Sequence, residues 1–220
     1  MSFDIIHEQP WLIARFPKPQ RMLSWSLTNP GYVEADQVAW MQVQENELSV
    51  DLDPVNFFSE RLIDKGLGGA IGLMTSTPLE NYCQASAEVE GVNASCLITL
   101  GLSNALHVGA GEFPKTSKKV GTINLLCSVS QPLTQAAQLE ALSVATQART
   151  AGVLEAGYCH PGEGKAVSGT GTDCIVIACP NTPQGQTFAG LHTPVGKAVG
   201  SVVYKATQQA TANWLKLHAP

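Results

Sequence analysis

A short apolar run near the end of the chain limits the folds that this sequence can adopt. Residues 174–179 read Cys-Ile-Val-Ile-Ala-Cys, and Pro180 ends the run. A continuous, β-branched run of this length predicts a buried β-strand. The five residues before it, Gly169-Thr170-Gly171-Thr172-Asp173, are small and polar, and their glycines allow a close approach of backbone or ligand. They are interpreted either as an ordinary turn into the strand or as one wall of a site.

Further strand-like segments and three helices follow from turn and capping signals. Asp53 before Pro54 predicts the start of a helix over residues 54–65, which Gly66 ends. Thr134 predicts the cap of a second helix that extends to about residue 156. Thr193 before Pro194 predicts the start of a C-terminal helix with an apolar stripe. Strands are predicted over residues 11–16, 21–27, 37–44, 69–74, 81–89, 93–100 and 120–130.

This order of elements favours one fold class. We expect an α/β (α+β layered) fold, in which mixed β-sheet layers have helices packed outside, as a single domain over residues 1–220. The pattern leaves open whether the strands form one sheet or two.

The charge of the chain argues against a nucleic-acid partner. The net charge is −5, and phosphate contacts require clustered Lys and Arg side chains. The one basic cluster is Lys115, Lys118 and Lys119. It is interpreted as a solvated loop, with a contact to an anionic ligand as the alternative.

Apolar segments and cysteines predict the compartment. Residues 1–8 contain His7 and Glu8 and lack the apolar core of a secretory signal. The uncharged stretch 93–111 is interpreted as a buried strand with a loop and not as a membrane span. The six cysteines include no Cys-x-x-Cys pair, which favours buried free thiols over a zinc cluster. We therefore expect a cytoplasmic protein with no membrane partner and no catalytic metal.

Four polar stretches next to apolar elements supply candidate site residues. Asp173, His192 and Thr122 are the candidate catalytic residues. His192 directly precedes the cap of the last helix, where the helix dipole disfavours imidazolium and favours a proton-accepting imidazole. Asp173 is expected to orient that imidazole or to hold a proton itself, and Thr122 is the candidate nucleophile. Candidate substrate-binding residues are Asn104, Asn124, Thr170, Thr172 and Thr193.

Three of these residues also have a structural interpretation. Asn104 is typical of a turn, Thr122 of a β-strand, and His192 of packing or helix capping. The catalytic hypothesis requires that residues far apart in the chain meet at one pocket, which would supply a nucleophile or activated water, a base and oxyanion donors.

Six short stretches of the chain form an ordered set of motifs: Ser24-Trp25-Ser26, Gly72-Leu73-Met74-Thr75, residues 99–105, Gly121-Thr122-Ile123-Asn124-Leu125-Leu126, Thr170-Gly171-Thr172-Asp173, and His192-Thr193 with Gly196. Taken in this order, they resemble the CbiZ family, the adenosylcobinamide amidohydrolases of corrinoid salvage. The resemblance covers about residues 20–205, and the segment Thr28-Asn29-Pro30-Gly31 departs from it.

The resemblance implies a reaction and a set of partners. It implies hydrolysis of the amide that joins aminopropanol to the corrin propionate arm, which gives adenosylcobyric acid. The partner is then a small-molecule corrinoid, no cofactor is needed, and the only cobalt belongs to the substrate. Independently of the resemblance, the apolar C-terminal helix, which ends in Trp214-Leu215, is expected to pack either on the core of its own chain or across a homodimer.

Two alternatives and one fainter resemblance remain open. The protein is alternatively a corrinoid-binding protein without turnover, or a hydrolase of another amide. Residues 121–126 with Pro132-Leu133 also resemble the nucleophile strand and helix of self-processing aminopeptidases and ornithine acetyltransferases. That resemblance implies that Thr122 is the nucleophile; without cleavage of the chain, Thr122 would need a base such as His192.

Overall fold

The structure is a computed structural model, and it describes residues 2–44, 47, 53–110, 121–160 and 164–218. The predicted basic cluster at Lys115, Lys118 and Lys119 lies outside these residues. The described helices are α1 (Pro54–Asp64), α2 (Gln135–Leu154) and α3 (Pro194–His218). The described strands are β1 (Asp4–Glu8), β2 (Trp11–Ser24), β3 (Gly31–Gln42), β4 (Ile71–Thr75), β5 (Cys83–Val89), β6 (Val92–Leu100), β7 (Ile123–Val129) and β8 (Cys174–Pro180).

All eight described strands belong to one mixed sheet. Its order is β4-β3-β2-β8-β7-β6-β5, and β1 pairs with β2 beside this path. Strands β3 and β4 are parallel, as are β7 and β8, and the other pairs are antiparallel. The question that the sequence pattern left open is thereby answered in favour of one sheet.

Strand β2 bends and divides this sheet into two halves. Its first part pairs with β1 and β3, and its second part pairs with β3 and β8. The register with β3 shifts between Arg15 and Gln20, where Pro17 and Pro19 cannot donate to a strand ladder. The two segments predicted at 11–16 and 21–27 are therefore one irregular strand.

Burial shows that the two halves of the sheet face each other. Leu12, Trp40 and Ile71 from the β1–β4 half pack against Leu126 and Val176 from the β5–β8 half. The outer face of the β5–β8 half carries α2 and α3, and the outer face of the β1–β4 half carries α1. The predicted arrangement of sheet layers with helices outside is confirmed, and the described residues form one α/β domain.

Local signals fixed the starts of the helices as predicted. Asp53 accepts hydrogen bonds from the first turn of α1, and Thr134 caps α2 by accepting from the Ala137 amide. Between β5 and β6, Glu90 and Gly91 both have positive φ, which is the backbone of a tight two-residue hairpin turn. Strand β1 was not predicted, because its five residues show neither a clear apolar run nor an alternation.

None of the three described helices combines the length and the apolar character that crossing a membrane requires.

Two helical glycines in the α2–α3 layer make a matched stability test. A methyl group on Gly152 of α2 would lie 3.0 Å from Cβ of Thr207 in α3, whereas one on Gly200 of α3 would meet Val144 at 3.6 Å, an ordinary contact. Replacing a helical glycine by alanine gains up to about 1 kcal/mol in helix propensity. We expect Gly200→Ala to gain most of that free energy of unfolding in urea titrations, and Gly152→Ala to gain none or to lose stability. Equal stabilisation by both variants would contradict the tight α2–α3 contact.

Candidate active site

A cavity of about 440 Å³ lies between the two halves of the sheet. Its walls come from the segment after β2, the carboxyl end of β4 and the amino ends of β7 and β8. Most of the wall is apolar. The polar side chains that line it include Thr75, Thr122, Asn124, Thr172 and Asp173.

The parallel pairing of β7 with β8 brings the threonines together. Asn124 lies opposite Cys174 in the ladder, so the two strands begin at the same end of the sheet. Because side chains alternate along a strand, Asn124 lies on the same face of β7 as Leu126, and Cys174 lies on the same face of β8 as Val176. Thr122 and Thr172 come two residues before Asn124 and Cys174, just ahead of the strands. The face that carries Asn124 and Cys174 is turned towards β4, and these two side chains line the cavity together with the two threonines.

Thr122 sits where two loops are in backbone contact. Its hydroxyl donates to the carbonyl oxygen of Thr172 at 2.8 Å, and its carbonyl accepts from the Gly101 amide at 3.0 Å. The neighbouring Gly121 has no room for a side chain, because a Cβ atom there would lie 2.7 Å from the Gly101 carbonyl oxygen. The close approach of the two loops therefore requires glycine at the position before Thr122.

Asn124 connects the two halves of the sheet across the cavity. Its side-chain amide donates to the Met74 carbonyl of β4 at 2.7 Å. Its side-chain oxygen, Oδ1, accepts no hydrogen bond from the described residues and is available to a bound ligand. Thr172 also lines the cavity, and its hydroxyl lies 3.5 Å from the Gly121 carbonyl oxygen.

Both oxygens of the Asp173 carboxylate accept hydrogen bonds from other residues of the protein. One oxygen accepts from the Ile123 amide at 3.0 Å and from the Thr170 hydroxyl at 2.5 Å. The other accepts from the Thr170 amide at 3.0 Å and from the Arg149 guanidinium at 2.5 Å. The side chains of Arg149 and Asp173 are only 11% and 7% exposed. This carboxylate ties α2, β7 and the loop before β8 together, and its acceptor sites are occupied.

Cys174 lines the cavity but is not an activated nucleophile. Burial raises the pKa of its thiol to about 12, with a smaller contribution from the nearby Asp173 charge. The side chain is therefore a neutral thiol at neutral pH, whereas the nucleophilic form of cysteine is the thiolate. The described residues contain no group of three or more metal-ligating side chains, and no histidine is among those that line the cavity.

The predicted pairing of His192 with Asp173 is wrong. His192 is exposed, and the segment around it is held by the Leu133–Gln186 bridge and by the Lys197–Glu90 ion pair. Both contacts lie beyond the carboxyl end of β7, whereas Asp173 lies at its amino end. The seven residues of β7 separate the two sites by about 20 Å.

Three of the predicted substrate-binding residues serve the backbone and lie outside the cavity wall. Thr193 caps α3 by accepting from the Gly196 amide at 3.0 Å, at the same end as His192. Asn104 accepts from the Gly121 amide at 3.0 Å, and Thr170 donates to Asp173. Asn104 and Thr170 therefore hold the backbone of Gly121 and the carboxylate of Asp173 in place without lining the cavity. Thr122, Asn124 and Thr172 are the candidates that the fold brings together in the cavity, with Asp173 beside them.

Several lining residues were absent from the predicted site. Trp25, Ser26, Met74 and Thr75 line the cavity. They belong to the Ser-Trp-Ser and Gly-Leu-Met-Thr stretches, so their place in the ordered motif set was a usable signal. Arg149 had no such signal, because a single arginine in a helix is normally solvated. The divergent segment from Thr28 to Gly31 does not line the cavity; the Thr28 hydroxyl instead accepts from the Gly72 amide at 2.9 Å.

Comparison with known proteins identifies relatives across most of the chain. Residues 2–219 match the model of a family described as adenosylcobinamide amidohydrolase. A protein of that name from Methanosarcina mazei is 30% identical over 162 residues, which cover 69% of this chain and 72% of the relative. Another from Halobacterium salinarum is 32% identical over 118 residues, which cover 50% of this chain and 46% of the relative.

Similarity to solved structures is more distant. The l-aminopeptidase d-ala-esterase/amidase of Ochrobactrum anthropi matches with a TM-score of 0.43 and 12% identity, over 95% of this chain and 82% of that chain. This score is too low to support a statement about chemistry, so the fainter resemblance of Thr122 to a self-processing nucleophile stays a prediction.

The buried ion pair gives a stability prediction. Replacing Arg149 by methionine leaves the Asp173 carboxylate buried without its cation, and removing one partner of a buried pair costs about 3–5 kcal/mol. Lys197→Met is the matched control, because the Lys197–Glu90 pair is exposed and such pairs contribute about 1 kcal/mol or less. Urea unfolding of both variants measures the difference. An equal, small loss in both would show that Arg149 does not hold the loop in place.

Proposed function

The chain belongs to the adenosylcobinamide amidohydrolase family and is an amide hydrolase, and we propose that it hydrolyses the aminopropanol amide of adenosylcobinamide. Water is added across the C–N bond of that amide. The carbonyl carbon becomes the carboxylate of adenosylcobyric acid, and the nitrogen leaves as the ammonium form of 1-amino-2-propanol, which takes up both protons of the water.

The observation that carries this proposal is the meeting of Thr122, Asn124 and Thr172 in one cavity between the sheet halves. Amide hydrolysis needs a nucleophile or a positioned water and polar groups that hold the carbonyl and the leaving group. The three side chains are neutral hydrogen-bonding groups, which suits the neutral amide arm of a corrinoid. The cavity has the size of a small-molecule site and admits such an arm.

Each residue has a proposed role. Thr122 presents its hydroxyl to the scissile carbonyl carbon, either as nucleophile or by holding the attacking water, and in both cases the proton released by the nucleophile passes to the leaving nitrogen. The side-chain oxygen of Asn124, Oδ1, accepts a hydrogen bond from the amide nitrogen or the hydroxyl of the aminopropanol group. Asp173 acts as a positioning residue, because its carboxylate fixes the Ile123 amide next to Thr122 and is saturated with donors.

The remaining expectations stay predictions from the sequence. These are a cytoplasmic location, a reaction without a cofactor of the protein's own, and a homodimer. The two alternative functions, corrinoid binding without turnover and hydrolysis of another amide, are separated by the product assay.

The product assay uses purified protein and adenosylcobinamide in water enriched in oxygen-18. We expect mass spectrometry to detect adenosylcobyric acid with one heavy oxygen in the new carboxylate, together with free 1-amino-2-propanol. Corrinoid binding without product would favour the binding-protein alternative. Neither binding nor product would favour hydrolysis of another amide.

Measurements of kcat on variants of Thr122, in the cavity, and of His192, at the opposite end of the sheet, test which of the two residues takes part in catalysis. We expect Thr122→Val to lower kcat by about a hundredfold or more, because it removes the hydroxyl with little change of shape. Thr122→Ser should keep most of the activity. His192→Ala is the control and should stay within twofold of wild type, since His192 lies at the other end of β7. A strong loss in His192→Ala with normal activity in Thr122→Val would reverse the assignment.

A further inference from the structure

An exposed tryptophan lies at the rim of the cavity between two buried serines. Trp25 is 47% exposed, whereas Ser24 and Ser26 beside it are 4% and 5% exposed. Its indole N–H donates to the Asp173 carbonyl oxygen at 2.7 Å. This hydrogen bond fixes the ring while leaving nearly half of the side chain in contact with solvent.

Leu27 extends the same apolar surface. It is 43% exposed, and both Trp25 and Leu27 line the cavity. Burial alternates along this segment, since Ser24, Ser26 and Thr28 are buried whereas Trp25 and Leu27 are exposed, so the two apolar side chains lie on the same side. Exposed apolar surface next to a cavity is typical of a binding site, and a rigidly held aromatic ring binds with little loss of conformational entropy.

The size of the cavity indicates what this surface contacts. A volume of about 440 Å³ falls within the roughly 300–1,000 Å³ that holds a drug-sized molecule. A corrin ring with its amide arms and an adenosyl group is larger than such a molecule. When the reacting arm is in the cavity, the macrocycle must therefore remain outside, against the rim.

We propose that Trp25 and Leu27 form the platform that binds the corrin macrocycle while one amide arm enters the cavity. This inference rests on the proposed function, since it takes the corrinoid as the ligand. The indole of Trp25 is hydrogen-bonded to the backbone of Asp173. A corrin macrocycle bound on it therefore lies directly beside Thr122 and Thr172 at the starts of β7 and β8. The platform then selects corrinoid amides over small amides with the same leaving group.

The first test measures binding of adenosylcobinamide by equilibrium dialysis, with each variant made in the Thr122→Val background so that turnover does not consume the ligand. We expect Trp25→Ala to raise Kd by about tenfold or more, as loss of an aromatic anchor does at other interfaces, and Leu27→Ala to raise it by about threefold or more. Trp25→Phe should raise Kd by no more than about threefold. Phenylalanine keeps an apolar ring at the rim and loses only the hydrogen bond of the indole N–H to Asp173. Phe188→Ala is the matched control, because Phe188 is also exposed but lies in the segment that leads into α3.

The second test uses N-(2-hydroxypropyl)propanamide, which carries the same scissile amide without the macrocycle. We expect Trp25→Ala to lower kcat/KM for adenosylcobinamide at least tenfold more than it lowers kcat/KM for the small amide. Equal losses on both substrates would mean that Trp25 only supports the loop before β8, and would overturn the platform.

The outcomes separate this inference from the proposed function. If wild type binds the corrinoid without hydrolysing it and Trp25→Ala weakens binding, the proposed function fails and the platform stands. If wild type hydrolyses the corrinoid and Kd is unchanged in Trp25→Ala and Leu27→Ala, the platform is overturned and the function stands. If wild type does neither, both are overturned. Should Trp25→Ala not fold, the Leu27→Ala measurement decides in the same way.

Discussion

The carboxylate of Asp173 is the interaction on which the candidate site depends. It accepts from Arg149 in α2, from the amide of Ile123 at the start of β7 and from Thr170 in the loop before β8. A buried carboxylate requires this many partners, because an unpaired charge away from water is very costly. Satisfying that charge joins a helix, a strand and a loop, and it sets Thr122 and Thr172 side by side.

The bend in β2 supplies the second constraint. A flat sheet of eight strands would leave the faces of β4 and β7 far apart. Because β2 changes register near Pro17 and Pro19, the sheet folds back and its two halves share one apolar interior. The cavity lies at the end of this interior, where Asn124 bridges to Met74. The same rim carries Trp25, whose ring is fixed to the backbone of Asp173.

The expectation for His192 failed for a physical reason that sequence does not contain. Its position before the cap of α3 correctly predicted the local backbone, since Thr193 caps that helix. The inference that it meets Asp173 needed a statement about which end of the sheet each loop occupies. Asp173 precedes β8, whereas His192 follows that strand and returns near the turn between β5 and β6. The cavity therefore brings threonine and asparagine side chains together without His192.

The sequence by itself determined the local elements: the capped starts of α1, α2 and α3, the β5–β6 hairpin, and the Gly-Thr stretches before β7 and β8. Those features follow from hydrogen bonds and φ preferences within a few residues, which a single segment encodes. It also gave three of the cavity residues, Thr122, Asn124 and Thr172. Only the tertiary structure decided that Arg149 pairs with Asp173, that Trp25 borders the cavity and that His192 lies far away. These facts depend on strand order, strand direction and the bend in β2, which arise from packing over the whole chain and not from any one segment.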